Sequence, residues 1–140
     1  MPEYPSQNTH KEFHIGHLRN VCIGNTLVQL YKKCGFNVLP VNYINDFGAH
    51  VVRCLWWILR SQKSVKSIKS KSRQRWLGEM YAEGSKYIKD HEVETQNFAS
   101  VQIKSELDEL QKKLEMRDKE IMKLFKETRK WCLDGFKKID

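Results

Sequence analysis

The sequence predicts an α/β protein in which a parallel-sheet half-domain is followed by long, charged α-helices. The first 45 residues follow the order strand, helix, strand, and a compact connection of this kind requires parallel strands. From residue 73 onward, apolar residues recur at helical spacing among dense Glu and Lys. We therefore expect a first βαβ unit at 1–60, a basic linker or loop at 61–72, and a helical part at 73–140.

Two β-prone runs with a helix between them define the expected first unit. Residues 3–5 form a short extended run, and the polar residues 6–9 lead toward the helix. Apolar side chains then recur every three or four residues from Leu18 to Cys34, and Gly35 fits a C-terminal cap. Residues 36–44 are β-prone, although Pro40 cannot donate to a ladder and so favours an edge or a bulge.

The remainder of the chain is predicted to be mostly helical. Residues 48–60 are apolar around too much of a helical circumference for a solvated helix, so we expect them to pack on the sheet. Residues 61–72 are rich in Ser and Lys, which predicts a mobile loop or a boundary. Helices are expected at about 73–89 and again, with a break near 116–118, almost to the end.

The composition excludes several classes of protein. No apolar run approaches the length of a bilayer-spanning helix, which excludes an integral membrane protein with helical spans. Residues 1–11 have neither the basic start nor the apolar core of a secretory signal, so we expect the cytosol. The four cysteines are scattered and form no CxxC pair, which predicts reduced structural thiols and no protein-bound metal.

The charge distribution favours an anionic partner. The net charge is +8, and much of the positive charge is concentrated in residues 63–75. The cations of this stretch are Lys63, Lys66, Lys69, Lys71, Arg73 and Arg75. Such a cluster raises the local concentration of a polyanion, for example a nucleic acid. A merely solvated basic loop is an equally good interpretation of the charge alone.

The segment His14-Ile15-Gly16-His17 is the first candidate for chemistry. It lies where a loop meets a helix, and there unpaired backbone N–H groups and the positive end of the helix dipole favour a phosphate. Gly16 lets a ligand approach the backbone closely, and imidazoles three residues apart can donate to phosphoryl oxygens. For so short a pattern, capping or core histidines are the alternative.

The residues around this segment extend the pattern. Residues 3–20 contain a Glu, a Ser, an Asn and a Lys ahead of the His-Ile-Gly-His run, and Ile23-Gly24-Asn25 follows. Residues 41–48 end in Asn45-Asp46-Phe47-Gly48. Together these stretches resemble the catalytic domain of the arginyl-tRNA synthetases, which are class I enzymes. Residues 77–81 and 125–136 resemble helical segments of the same family, so the resemblance covers essentially the full chain.

The resemblance implies a Rossmann-like (HUP-type) fold that activates arginine with ATP, bound with Mg²⁺, to arginyl adenylate. The arginyl group then passes to tRNA(Arg). The catalytic positions of the family are matched by His14 and His17. The ATP-binding positions are matched by Lys11, His14, Gly16 and His17. A carboxylate, hydroxyl and amide suit arginine recognition, and Glu3, Ser6 and Asn8 match that side of the site. Asp46 either holds substrate or caps the turn and the helix after Gly48.

The chain also departs from the family pattern. The KMSKS-like loop of the family lies beyond the matched segments, and the run 69–72 that spells part of it is interpreted as a coincidence of a basic linker. The second half of the nucleotide fold is also absent, so we expect a fragment whose exposed apolar surface favours self-association. Two alternatives stay open: a small nucleotidyltransferase with a His-x-Gly-His loop, and a non-catalytic basic scaffold that binds RNA through residues 63–75 and 98–139.

Overall fold

The computed structural model describes residues 1–11, 13–63, 65, 68, 72–92 and 98–136. Over these residues the chain forms five α-helices: α1 (Ile15–Lys33), α2 (Ala49–Arg60), α3 (Arg73–Glu92), α4 (Phe98–Glu115) and α5 (Lys119–Phe136). The chain divides into two compact units. The first consists of Met1–Thr9 and Phe13–Asn45, and the second of His10–Glu12 and Asp46–Asp140.

The predicted α/β fold class, a Rossmann-like parallel-sheet half-domain, is wrong. The described part of the chain contains the five helices and no β-strand. In place of a sheet, two isolated parallel bridges join Glu3 to Val41 and Asn8 to Asn45. At the first bridge the Tyr4 N–H donates to the Val41 carbonyl (2.9 Å), and at the second the Thr9 N–H donates to the Asn45 carbonyl (3.1 Å).

Local backbone chemistry explains why the bridges do not extend into strands. Pro5 and Pro40 have no N–H to donate to a ladder. Ser6 has a φ of 56°, which turns the chain out of the extended conformation, and its N–H donates to the Asn42 side-chain oxygen (3.2 Å) instead of a backbone carbonyl. Residues 36–44 therefore form no regular strand, although their composition favours one.

Helix α1 confirms the predicted helix, and most of its large apolar side chains are exposed. It ends at Lys33, and Gly35 follows with a φ of 85°. Gly24 lies so close to the Tyr4 ring that a Cβ atom would collide with it. The buried residues of α1 are His17, Gly24 and Val28. The exposed apolar residues of the helix include Leu18, Ile23, Leu27, Leu30 and Tyr31.

The second unit is a packed helical bundle. Helix α2 packs against α3 and α4, while α3 also contacts α4 and α5. The prediction that residues 48–60 pack on a sheet is therefore wrong, because α2 packs on helices. The core of the second unit includes Leu55, Leu77, Met80 and Leu114, which are all almost completely buried. Gly84 of α3 brings that helix within contact distance of Trp57.

The break between α4 and α5 lies where the sequence predicts it. Arg117 has a φ of 56°, and the Asp118 carboxylate accepts hydrogen bonds from the backbone N–H groups of Glu120 (3.0 Å) and Ile121 (3.2 Å). The division at 1–60, 61–72 and 73–140 stays a prediction, and half of the basic linker lies outside the described residues. In the described part of the chain, no helix combines the length and the apolarity that crossing a membrane requires.

Candidate functional site

The amino end of α1 brings His14 and His17 together in a reciprocal capping arrangement. The Nδ1 atom of His14 accepts a hydrogen bond from the Gly16 backbone N–H (3.2 Å). The Nδ1 atom of His17 accepts one from the His14 backbone N–H (3.3 Å). The two rings are stacked, with centroids 4.0 Å apart and planes inclined by 25°. Both histidines therefore cap the helix.

This arrangement decides which ring nitrogen carries the proton. Because each Nδ1 atom accepts from a backbone N–H, a neutral ring in this place has its hydrogen on Nε2. His14 is exposed, whereas His17 is only 6% exposed and lies against the Phe13 ring, with centroids 5.2 Å apart. The exposed His14 ring thus presents an N–H donor in front of the amino end of α1.

The electrostatics of this helix end favour an anion. The first turn of α1, which is fully described, contains no acidic residue that would offset the positive end of the helix dipole. A Cβ atom at Gly16 would lie 3.0 Å from Cε1 and 3.1 Å from Nδ1 of His14. A larger residue at this position would therefore push the His14 ring away from the first turn. Capping and phosphate binding are compatible here, because capping uses Nδ1 and leaves Nε2–H as the donor.

The three residues expected on the arginine side all belong to the first unit. Ser6 Oγ donates to Glu3 Oε1 (3.3 Å), and both side chains are exposed. Asn8 is half-buried and is positioned by its backbone bridge to Asn45. The structure thus joins Glu3 and Ser6 directly and places Asn8 through the main chain.

Lys11 and Asp46 belong to the second unit. The Lys11 Nζ atom lies 5.8 Å from the centroid of the Tyr81 ring of α3. The Asp46 carboxylate forms an ion pair with the Arg129 guanidinium of α5. Within the described residues no side chain caps α2 at Gly48, so Asp46 does not serve as the cap of that helix.

His10 is a residue to which the sequence assigned no role. It is completely buried in the second unit, where its Nε2 atom lies 2.7 Å from Thr128 Oγ1 and its backbone N–H donates to Cys132 Sγ (3.2 Å). Burial lowers its pKa to about 3; His50 acts in the same direction, and Asp46 opposes it. The neutral ring therefore anchors residues 10 and 11 to α5. The sequence signal that could have indicated a role for His10 was its position within residues 3–20, which carry part of the family resemblance.

Two of the four cysteines, Cys54 and Cys132, are buried, and the other two are exposed. Burial raises the pKa of Cys132 to about 11 and raises the pKa of Cys54 as well, so both thiols are protonated at neutral pH. Among the described residues, no three His, Cys, Asp or Glu side chains are grouped so as to hold a metal ion. All four cysteines are free thiols.

The basic stretch at 63–75 is only partly described. Lys66 and the run 69–71 lie outside the described residues. At its two ends, Lys63 pairs with Glu83 (2.7 Å) and Arg75 with Glu79 (3.1 Å). Surface pairs of this kind reduce the charge that is available to a polyanion.

Comparison with known proteins distinguishes between the two enzyme families that the His14–His17 segment suggested. A family model described as "tRNA synthetases class I (R), catalytic domain" matches residues 1–139. The chain belongs to the arginyl class I tRNA synthetase family. It is 31% identical over 139 residues to an arginine–tRNA ligase of Bdellovibrio bacteriovorus, covering 99% of this chain and 23% of that protein. It is 34% identical over 137 residues to the arginine–tRNA ligase of Methanocorpusculum labreanum, covering 96% and 22%.

Membership of the synthetase family confirms the resemblance drawn from the sequence. The match includes the His14 to His17 cap, the Glu3 and Ser6 pair and the Asp46 segment. It favours a synthetase over the small nucleotidyltransferase that a His-x-Gly-His loop also allowed. The chain spans about a fifth of the length of these relatives, 22–23%.

Proposed function

We propose that this chain provides the ATP- and arginine-binding part of an arginine–tRNA ligase, which forms arginyl adenylate and transfers the arginyl group to tRNA(Arg). The observation that carries the proposal is the reciprocal cap of His14 and His17. It leaves a ring N–H donor in front of a helix end without acidic residues, inside a segment matched by the synthetase family. ATP enters as a substrate with its Mg²⁺ ion.

On the ATP side, the proposed catalytic residues are His14 and His17. The exposed His14 ring donates its Nε2–H to oxygens of the α-phosphate as negative charge develops there, while the α1 dipole adds a fixed positive potential. His17, which is buried, acts beside it by accepting the His14 backbone N–H at its Nδ1 atom and so fixing the position of His14. Gly16 keeps the His14 ring folded over the first turn. Lys11 supplies a cation to the phosphates. Its ammonium group lies over the Tyr81 ring, and this weak cation–π contact can be replaced by a contact with a phosphate.

On the arginine side, Glu3 and Ser6 offer an exposed carboxylate next to a hydroxyl, a combination that binds a cationic amino acid. Asn8 adds an amide to the same side. The Asp46 carboxylate pairs with the Arg129 guanidinium, and we assign it to the arginine side on the basis that a substrate guanidinium replaces Arg129 by the same chemistry.

The first test is ATP binding to the chain, measured by equilibrium dialysis with labelled MgATP. A charge-assisted hydrogen bond contributes about 1.5–3 kcal/mol, so His14→Ala should weaken binding about 10- to 150-fold. His91→Ala, at the end of α3, is the matched control and should leave binding unchanged. Equal affinities for the two variants would remove the basis for the phosphate site.

The second test separates the reaction classes. Arginine-dependent exchange of labelled pyrophosphate into ATP, measured with tRNA(Arg) present, is the signature of adenylate formation. Nucleotidyl transfer to a small acceptor without arginine would instead favour the nucleotidyltransferase. If RNA binds while neither exchange nor ATP binding is observed, the non-catalytic scaffold is the better interpretation.

We also propose that the chain, placed in the cytosol, self-associates through the exposed apolar side of α1. Ile23, Leu27, Leu30 and Tyr31 lie on one side of this helix and are each 42–55% exposed, and contact with a second copy removes their surface from water. Sedimentation velocity over about a tenfold concentration range should show association that Leu27→Glu with Leu30→Glu abolishes. Val101→Glu, at an exposed apolar position of α4, is the control that should not alter it.

A further inference from the structure

The second unit contains a cavity of about 980 Å³ at the turn between α4 and α5, here called the basic cavity. Its cations are Arg117, Lys119, Lys123 and Lys126. The three lysines are spaced by four and three residues along α5, so they occupy one face of that helix and point to the same space. None of these four cations has a role in the ATP and arginine sites proposed above.

The lining of the basic cavity contains more cations than carboxylates. Within the described residues, none of its four cations has a carboxylate oxygen within 4.0 Å. Two carboxylates also line the cavity, and one of them, Asp46, is already paired with Arg129. The other lining carboxylate is Glu115. The cavity therefore has a positive potential that attracts an anion.

The floor of the cavity is apolar and aromatic. Phe47 is 48% exposed, and its ring meets that of Phe125 edge to face, with centroids 6.3 Å apart. Met122 lies on the same face of α5 as the lysines and completes the apolar surface. An exposed ring next to a row of unpaired lysines is the combination that binds single-stranded nucleic acid, since bases stack on the ring while phosphates contact the cations.

Other anions use only part of this surface. A free phosphate fills a small fraction of the volume and leaves most of the cations without a partner. A run of acidic residues, such as polyglutamate, matches the lysines but has no flat group to cover Phe47. A nucleic acid chain satisfies both features at once, with several phosphates and at least one base in contact.

We propose that the basic cavity binds an unpaired stretch of RNA. The proposal deepens the function given above and rests on it in one respect, since the RNA is taken to be part of the tRNA substrate. Binding has an electrostatic component from Lys119, Lys123 and Lys126 and a stacking component from Phe47. The two components respond differently to salt, so each is measurable separately.

The electrostatic component is tested with the full chain and a fluorescently labelled oligoadenylate, by anisotropy at several salt concentrations. The test variant is Lys119→Ala with Lys123→Ala and Lys126→Ala. The matched control removes the same charge from exposed lysines of α3 and α4: Lys86→Ala, Lys89→Ala and Lys104→Ala. We expect the cavity variant to bind at least about tenfold more weakly and its logarithmic salt slope to fall by about 2, with no more than about a twofold change in the control.

The stacking component is tested by Phe47→Leu, which keeps the charge and removes the ring. We expect about a fivefold or greater loss of affinity with an unchanged salt slope, and circular dichroism shows whether the helices persist. Equal losses in the two triple variants would show that net charge alone acts, and would overturn the proposal. Equally tight binding of duplex RNA, or of polyglutamate without any effect of Phe47→Leu, would overturn it as well.

ATP binding is measured on the same variants, so that the two proposals fail separately. Loss of RNA binding with intact ATP binding in the cavity variant supports the assignment of the basic cavity. If the native chain binds RNA at this cavity but not ATP, the proposed ligase function is contradicted and the cavity assignment stands.

Discussion

Mild acid is expected to destabilise the second unit, because the unfolded chain binds a proton at His10 that the folded unit binds only weakly. The ring is completely buried, its Nε2 atom lies 2.7 Å from Thr128 Oγ1, and it stacks at 6.2 Å on Phe125. A charge placed there has no water to solvate it. The perturbation is therefore a simple change of pH, and the matched substitution is His10→Gln, which keeps a polar partner for Thr128 without a titrating ring.

The magnitude follows from the pKa of His10 in the folded and unfolded chain. Burial lowers the value from 6.5 to about 3, so the folded protein binds this proton less readily than the unfolded chain. The stabilisation is fully present above pH 6.5 and is lost as the pH falls from 6.5 toward 3. At pH 5, which is about 1.5 pH units below the pKa of 6.5 in the unfolded chain, proton binding stabilises the unfolded chain by about 2 kcal/mol.

Urea unfolding at pH 7 and pH 5, followed by circular dichroism, measures this difference. The loss of unfolding free energy between the two pH values should be about 2 kcal/mol smaller in His10→Gln than in the native chain. His91→Gln changes a partly buried histidine of the same unit and should keep the native pH dependence. A His10→Gln protein that loses as much stability as the native chain would refute the assignment of a buried neutral ring.

Two further substitutions test the packing of each unit. Gly24→Ala should lower the free energy of unfolding by about 1–3 kcal/mol, because the new Cβ collides with the Tyr4 ring, and Tyr4→Ala in the same chain should reverse most of this loss. Glu106→Ala should cost about 1–3 kcal/mol in a thermal melt, since the buried Trp56 indole N–H loses its acceptor at 2.9 Å, whereas Glu106→Gln, which keeps an acceptor for Trp56 and Arg60, should cost less.

The candidate site could be predicted from sequence to the extent that it is local. His14, Gly16 and His17 lie within four residues of each other, so their shared helix end follows from the spacing alone. The reciprocal use of the two Nδ1 atoms was not predictable, because it depends on the rotamers of both rings. The contact of Asp46 with Arg129 joins residues 83 positions apart, and no local sequence pattern predicts such a pair.

The sequence by itself determined the family, the helix beginning at Ile15, and the break between α4 and α5, since each depends on neighbouring residues. Only the tertiary structure decided that residues 36–44 form isolated bridges, that the apolar side of α1 is exposed, and that His10 is buried among α5 residues. The physical reason is that strand formation and burial depend on partners distant in the chain. Backbone propensity and spacing report only what a segment prefers before those partners are in place.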